Sequence, residues 1–170
     1  MSEPRDAERD RALLEERARL LARASAAPAP EGAWVRALVF LLGQETYAVE
    51  TRWVFAVFRL AGITPLPGAE PPVYGLTTWR GEVLTVLDLR RTLGASWTAL
   101  DDLSRVIVLG DQRPAFGILA DEAREIRALP MADILPLPEA RARPHLAGIT
   151  RDAVLVLDVP PLLRQQTGAP

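Results

Sequence analysis

Few side chains in this sequence could carry out acid–base or nucleophilic chemistry. The 170-residue chain contains one histidine, His145, and no cysteine. His145 lies between Pro144 and Leu146, directly before a predicted strand, and no nearby carboxylate is placed to orient its imidazole as a general base requires. We therefore expect a structural role for His145. The absence of cysteine from the sequence excludes thiolate metal sites and disulfides.

Carboxylates offer a second route to catalysis, since a pair of them can act as acid and base. Asp88 and Asp158 follow two similar strands at equivalent points, and Asp101 and Asp102 are adjacent in a polar loop. Because Asp88 and Asp158 come from a repeated motif, each is expected to cap the turn or helix that follows it. The sequence also lacks a phosphate loop of the Walker or dinucleotide type. It predicts a protein that is not an enzyme and binds no cofactor or metal.

One motif occurs twice in the sequence. Residues 75–89 (GLTTWRGEVLTVLDL) return in shortened form as residues 148–159 (GITRDAVLVLDV). Other landmarks recur at a nearly constant offset of about seventy residues, which indicates two copies of one small unit with different loop lengths. The corresponding pairs include Tyr47 and Phe116, Val57 and Ile126, and Asp88 and Asp158.

Short strands separated by turns are predicted throughout the chain after residue 34. In the first half the apolar runs predict strands at 37–42, 46–49, 75–78 and 83–89. The run 54–60 suits either a strand or the start of a short helix. In the second half strands are predicted at 106–109, 115–120, 124–129, 146–150 and 154–159, before a short helix from Pro160. Strands at such regular intervals favour small closed barrels, and therefore an all-β fold.

The N-terminal part of the sequence is predicted to be a separate piece. Residues 1–30 combine a helical pattern up to about residue 24 with a linker rich in alanine and proline. The sequence leaves open whether this helix packs on the barrels, pairs with a partner or stays free. Residues 31–170 form the predicted globular domain, with approximate halves 36–95 and 103–165 whose strands can interleave.

Composition and charge narrow the class of partner. The net charge is −2 and all 20 basic residues are arginine, which we attribute to codon usage in a GC-rich genome. A small barrel that binds single-stranded nucleic acid needs a basic groove with stacking aromatic residues, so this alternative is disfavoured. No apolar run approaches the roughly 20 residues of a membrane helix, and the N-terminus lacks the apolar core of a signal peptide. We expect a cytoplasmic protein without direct membrane insertion.

Aromatic residues and arginine mark candidate partner-binding surfaces. Trp79, Arg80 and Gly81 stand at the predicted tip of a hairpin, and tryptophan and arginine are common in binding hot spots. The alternative is that Trp79 fills the barrel and Arg80 is a solvated turn residue. Trp53 and Phe55 belong to a second apolar cluster in which both faces of a strand are apolar. Either both faces are buried, or one is kept for a partner.

Taken together, these motifs resemble the CheW-like coupling proteins of bacterial chemotaxis and the related regulatory domain of CheA-type histidine kinases. The resemblance covers residues 36–165, and its most specific element is residues 79–89 (WRGEVLTVLDL). Residues 38–43 (LVFLLG) and 116–121 (FGILAD) also match the family pattern in order and spacing.

The resemblance implies a fold, a function and a set of partner-binding residues. The fold is two SH3-like five-stranded β-barrels, and the function is a non-catalytic adaptor. It links the regulatory domain of a CheA-type histidine kinase to the cytoplasmic tip of methyl-accepting chemoreceptors. The family pairs an apolar barrel surface with the kinase and receives the receptor tip in a groove between the barrels. Arg80 and Gly81 occupy the family's Arg-Gly motif beside Trp79, and Val54 and Val57 are expected near the receptor-facing groove.

The sequence also departs from the family pattern. Ala56 stands where an acidic residue is usual, Trp79 where leucine is common, and Thr85 where proline is frequent. The first two positions fall where receptor or kinase contacts are expected. The alternative function is therefore an interaction protein of another signalling system that keeps the fold and no longer binds receptors.

Overall fold

The computed structural model describes residues 32–101, 104–137, 143 and 145–167. The predicted N-terminal helix and its linker lie outside these residues. The described residues from Ala33 onward belong to one compact unit. No helix in the described part of the chain is long and apolar enough to cross a membrane.

Ten strands and two short helices account for most of the described residues. The first half contains β1 (Trp34–Leu42), β2 (Glu45–Glu50), a 3-10 turn (Thr51–Trp53), β3 (Val54–Arg59), β4 (Val73–Trp79), β5 (Glu82–Leu87) and helix α1 (Arg90–Leu93). The second half contains β6 (Arg105–Gly110), β7 (Pro114–Ala120), β8 (Glu122–Pro130), a 3-10 turn (Met131–Asp133), β9 (Leu146–Ile149), β10 (Leu155–Leu157) and helix α2 (Val159–Thr167). The ambiguous run 54–60 is therefore a strand, and the predicted C-terminal helix is confirmed.

The two sheets exchange strands between the two halves of the sequence. One sheet has the order β8-β1-β2-β10-β9 and the other has the order β3-β6-β7-β5-β4. Each half thus contributes its first hairpin to one sheet and its last three strands to the other. Replacing every strand by its copy in the other half converts one order into the other. The predicted all-β fold with two five-stranded units is confirmed, and the strands of the halves interleave.

Parallel pairs join the exchanged strands to the hairpins. Leu155 of β10 lies opposite Tyr47 of β2, and Val86 of β5 lies opposite Gly117 of β7. All other strand pairs are antiparallel in the described residues. Because the same parallel join occurs at equivalent places in both sheets, the sequence repeat corresponds to a pseudo-twofold arrangement of strands.

Each sheet is closed by a short bridge between its two edges. The chain that follows β3 returns to β4, where Thr64 and Leu76 exchange two backbone hydrogen bonds of 2.8 Å. In the other sheet Leu135 and Ile149 do the same at 2.9 Å. These bridges connect strands at opposite edges, and each sheet therefore curls into a small barrel.

The first glycine of each repeated motif makes this closure possible. A Cβ atom at Gly75 would lie 2.6 Å from the carbonyl oxygen of Thr64. A Cβ atom at Gly148 would lie 2.5 Å from the carbonyl oxygen of Leu135. Any side chain would push the crossing segment away, so both copies need glycine at this position.

The largest hydrophobic core is shared by the two sheets. Phe40 and Tyr47 from one sheet are fully buried, with ring centroids 5.7 Å apart, and Phe116 and Ile118 enter from the other sheet. Helix α2 adds Leu162 to the same cluster. The two barrels therefore cannot be separated without exposing this core to water.

Candidate functional site

The hairpin between β4 and β5 ends in a tight two-residue turn. Trp79 pairs with Glu82, and Arg80 and Gly81 between them have φ angles of 51° and 83°. Positive φ at both central residues is the geometry of a type I′ turn, which matches the twist of the two strands. The predicted hairpin tip is thus a rigid turn that presents the exposed side chain of Arg80 at its end.

The guanidinium of Arg80 stacks on the neighbouring indole. Its Cζ atom lies 4.6 Å from the centroid of the Trp79 ring, within the range of a cation–π interaction. No carboxylate in the described part of the chain forms an ion pair with Arg80. The guanidinium of Arg80 therefore lies over an aromatic face, and its N–H groups bind no carboxylate of the described residues.

The burial of Trp79 lies between the two alternatives that the sequence left open, a residue that fills the barrel and an exposed one. It follows Gly75 and Thr77 on the inward-facing side of β4, where those two residues are buried. At the end of the strand Trp79 is only half-buried. The indole therefore packs at the end of the hairpin and still exposes part of its surface beside Arg80.

Val54 and Val57, the residues predicted to lie near the receptor-facing groove, are on opposite faces of strand β3. Val54 is half-buried and packs against the shared core, whereas Val57 is 39% exposed. Side chains three residues apart on a strand point to opposite faces, so the two valines do not share one surface. Phe55, 38% exposed, lies with Val57 on the outer face. This outer face is the one available to a partner.

A second stacked arginine precedes β3. The Cζ atom of Arg52 lies 4.8 Å from the centroid of the Trp53 ring. Its Nε atom also lies 2.7 Å from a carboxylate oxygen of Glu50. Arg52 therefore differs from Arg80, because its guanidinium is both stacked and ion-paired.

A groove of about 780 Å³ lies near the same hairpin, and we call it the junction groove. It runs between the start of β5, the β6–β7 turn and helix α2. Helix α2 follows β10 of the other sheet and packs on β7, so the groove lies where this helix meets the barrel that contains β5, β6 and β7. A Cβ atom at Gly110 would lie 3.0 Å from Cε2 of Phe55, so Phe55 borders the turn that lines the groove. The lining residues are Glu82, Val83, Leu84, Asp111, Gln112, Arg113, Pro114, Ala115, Leu163 and Gln166.

A smaller groove of about 490 Å³ lies beside the β1–β2 turn. Glu45 accepts hydrogen bonds of 2.8 Å from both the Tyr47 hydroxyl and Arg143. Burial, reinforced by Glu45, raises the pKa of Tyr47, so the hydroxyl stays protonated. The two charged side chains Glu45 and Arg143 at this groove are already paired with each other, which makes the groove a weaker candidate for a partner.

A buried ionic network escaped the sequence analysis. Arg90 is 2% exposed, and its guanidinium binds Asp121 and, at 3.0 Å, Asp88. Asp121 also accepts the Gly43 N–H at 2.6 Å and the Thr98 hydroxyl at 2.7 Å. The network therefore ties α1 to the β1–β2 turn of the other sheet. The predicted capping role of Asp88 is confirmed, because its Oδ1 accepts the Arg90 N–H at 3.0 Å.

His145 has no arrangement of partners that suggests catalysis. It is half-buried, with a φ of 68°, and its carbonyl accepts the Asp158 N–H at 2.8 Å. Burial lowers the pKa of His145, while the charge of Asp158 opposes this shift. No group of three or more His, Cys, Asp or Glu residues in the described chain could hold a metal ion.

Replacing His145 by asparagine is expected to remove one source of pH-dependent stability. Because burial lowers the pKa of His145, the unfolded chain binds its proton more readily than the folded protein. The wild type should therefore lose stability relative to His145→Asn as the pH falls below about 6.5, and the difference in stability should be independent of pH above that value. Asparagine tolerates the positive φ. Urea unfolding across this pH range measures the difference, and parallel curves would contradict the expectation.

Comparison with known proteins gives a consistent result. A family model described as the CheW-like domain matches residues 36–167. The chain is 35% identical over 114 residues to Protein FrzA of Myxococcus xanthus, which covers 66% of the chain and 71% of FrzA. It is 28% identical over 102 residues to the chemotaxis protein CheW of Bacillus subtilis, which covers 60% of the chain and 65% of that protein.

A solved structure shares the fold. The crystal structure of the scaffolding protein TtCheW from Thermoanaerobacter tengcongensis matches with a TM-score of 0.66 and 23% sequence identity. The match covers 74% of this chain and 89% of the other. At this level of identity the likeness concerns the fold alone.

Proposed function

This chain belongs to the CheW-like domain family of chemotaxis adaptors, and we propose that it joins a CheA-type histidine kinase to chemoreceptors. It brings the regulatory domain of the kinase and the cytoplasmic tip of a methyl-accepting chemoreceptor together on one scaffold. It catalyses no reaction itself. It works in the cytoplasm and is recruited to receptor arrays through its partners.

The hairpin tip of Trp79, Arg80 and Gly81 is the proposed kinase-binding site. The main support for the proposal is the geometry of this tip. Its rigid turn presents an exposed arginine that lies over a tryptophan ring. Buried aromatic and arginine anchors dominate the free energy of binding in most protein interfaces.

The junction groove and the outer face of β3 form the proposed receptor-binding site. An amphipathic helix binds a groove by laying its apolar face on the floor while charges at the rim select the partner. Val83 and Leu163 supply apolar surface, and Asp111 and Arg113 supply charges of both signs. Phe55 and Val57 extend the site along β3. Val54 lies on the other face of β3, where it packs against the shared core and so holds the strand in place.

Two separate sites explain how an adaptor without catalytic groups controls a kinase. Interfaces of about 800 Å² per partner are large enough for specific assembly. When receptor and kinase are both fixed to one rigid body, a small receptor movement changes the free energy of the kinase's active state. The shared core and exchanged strands make the scaffold stiff enough to transmit such a movement.

Replacing Arg80 by asparagine is expected to weaken binding of the kinase regulatory domain by roughly 30-fold, about 2 kcal/mol. Asparagine is favoured at this position of a type I′ turn, so the variant should fold normally. Arg151→Asn is the matched control, because Arg151 lies in the equivalent turn between β9 and β10. Calorimetric titration with the regulatory domain encoded in the same genome measures both. Equal binding by wild type and Arg80→Asn would show that the tip is not the kinase site.

The second candidate is an interaction protein of another signalling system that no longer binds receptors. Ala56 and Trp79, which replace residues common in the family, favour it. Titration with a helical-hairpin fragment of a receptor tip separates the two functions. Binding that is lost on Val57→Asp or Phe55→Ala supports the receptor adaptor. Kinase binding without receptor binding supports the alternative.

A further inference from the structure

Two arginine–tryptophan pairs among the described residues differ in the carboxylate that accompanies the arginine. Arg52 and Arg80 both lie over an indole, at 4.8 and 4.6 Å from the ring centroid. Each has a glutamate two residues away, Glu50 for Arg52 and Glu82 for Arg80. Glu50 forms an ion pair with Arg52, whereas Glu82 makes none with Arg80 among the described residues. Within the described chain, Arg52 therefore has both an indole and a carboxylate as partners, whereas Arg80 has only the indole. A carboxylate of another protein would give Arg80 the same set of partners.

The position of Glu82 explains why it does not pair with Arg80. Glu82 is directly opposite Trp79 in the ladder, and the turn residues Arg80 and Gly81 lie between them. With positive φ at both turn residues, the Arg80 side chain leaves the hairpin on the side of the indole. The guanidinium thus lies over the face of the Trp79 ring.

A stacked guanidinium is prepared for a carboxylate in a way that an unsupported one is not. Arginine presents its N–H donors in a planar fork that fits both oxygens of a carboxylate. Stacking leaves the edge of this fork open while it restricts the rotamers of the long side chain. Binding then loses less side-chain entropy, which is the usual benefit of preorganisation.

We infer that Trp79 is a positioning residue that holds Arg80 ready to bind an aspartate or glutamate side chain of the partner. The inference rests on the proposed function, and it specifies the chemistry of the kinase-binding site. The partner surface presents a carboxylate beside an apolar group that covers the exposed part of the Trp79 ring. Lysine cannot replace Arg80 at this site, because an ammonium group offers no planar fork.

Side-chain NMR of the free protein tests the positioning step without any partner. The Arg80 Nε–Hε group should show restricted motion in the wild type and fast motion in Trp79→Leu. Arg52, which keeps its own indole and Glu50, serves as the internal reference and should not change. Equal mobility of Arg80 in the wild type and in Trp79→Leu would overturn the inference.

A double-mutant cycle tests the carboxylate-binding step. Trp79→Leu and Arg80→Lys should each weaken binding of the kinase regulatory domain, by about fivefold to tenfold for Trp79→Leu. The double variant should lose much less than the product of the two effects, because each change disables the same group. Trp79→Tyr keeps an aromatic face and should restore most of the affinity. Multiplicative losses would overturn the inference, since Trp79 would then act independently of Arg80.

A glutamate-rich peptide separates failure of this inference from failure of the proposed function. If the wild type does not bind the kinase domain, the proposed function fails for that partner. Chemical-shift titration with the peptide then decides the inference. Shifts at Arg80 that disappear in Trp79→Leu and at high salt support a carboxylate-binding tip. The absence of shifts at Arg80 overturns it.

Discussion

Replacing Phe116 by alanine is expected to lower the free energy of unfolding by about 3–5 kcal/mol, the usual cost of removing a buried aromatic ring. Phe116 is fully buried in the core that both sheets share. Its strand β7 pairs with β6 from its own half and with β5 from the other. We therefore expect the loss to appear in one cooperative transition that involves the whole folded unit.

Urea unfolding followed by two signals measures this effect. Far-UV circular dichroism reports the sheets, and fluorescence reports all four tryptophans, among them Trp34 in one sheet and Trp79 in the other. The two curves should coincide in the wild type and in Phe116→Ala. Val83→Ala is the control, because Val83 is exposed and should change stability by less than about 0.5 kcal/mol. Two separate transitions would contradict the expectation, since they would mean that the two barrels unfold independently.

The repeat was predictable from sequence, but the identity of the exchanged strands was not. Gly75 and Gly148 can be recognised as equivalent in the sequence, because both positions need glycine where a crossing segment approaches the backbone. No residue in the sequence identifies in the same way which strands pair with each other. Both hairpins have the same apolar alternation, so the pattern fits β10 beside β2 as well as β10 beside β7. Only the packing of the whole unit selects between these arrangements.

The candidate site shows where sequence reasoning succeeds and where it stops. An Arg-Gly pair between two apolar runs predicts a hairpin turn, and Arg80 and Gly81 form one. The stacking of Arg80 on Trp79 depends on a turn geometry that the letters do not specify. The predicted roles of Val54 and Val57 remain predictions. Their spacing of three nevertheless implies opposite faces of a strand, a signal that period-two alternation already contained.

The ionic network around Arg90 could not be predicted because its partners are distant in sequence. Asp88 is two residues away, but Asp121 is 31 residues away and Gly43 belongs to the other sheet. A charged residue after an apolar run is usually exposed to solvent. The sequence around Asp121 does not distinguish it from such exposed residues. The structure shows that this network, together with the shared core, joins the two barrels.

Replacing Asp121 by alanine is expected to cost about 3 kcal/mol of stability, since a buried arginine loses one of its two carboxylates. Arg90 would keep only Asp88, and the Gly43 N–H and Thr98 hydroxyl would lose their acceptor. Asp152→Ala is the matched control. Asp152 pairs with Arg127 at 2.7 Å, but its side chain is 58% exposed. The control should cost less than about 1 kcal/mol, because solvent already screens that pair.

Adding Arg90→Met to Asp121→Ala separates charge from packing. If the cost of Asp121→Ala comes from an uncompensated buried charge, removing that charge should recover part of the lost stability, because apolar replacements of buried ion pairs are often tolerated. The double variant would then be more stable than Asp121→Ala alone in urea unfolding. If it is less stable, Arg90 holds the β1–β2 turn and α1 together by its shape and hydrogen bonds, and the link between the barrels does not depend on charge. A loss for Asp121→Ala no larger than for Asp152→Ala would show that the network does not stabilise the junction.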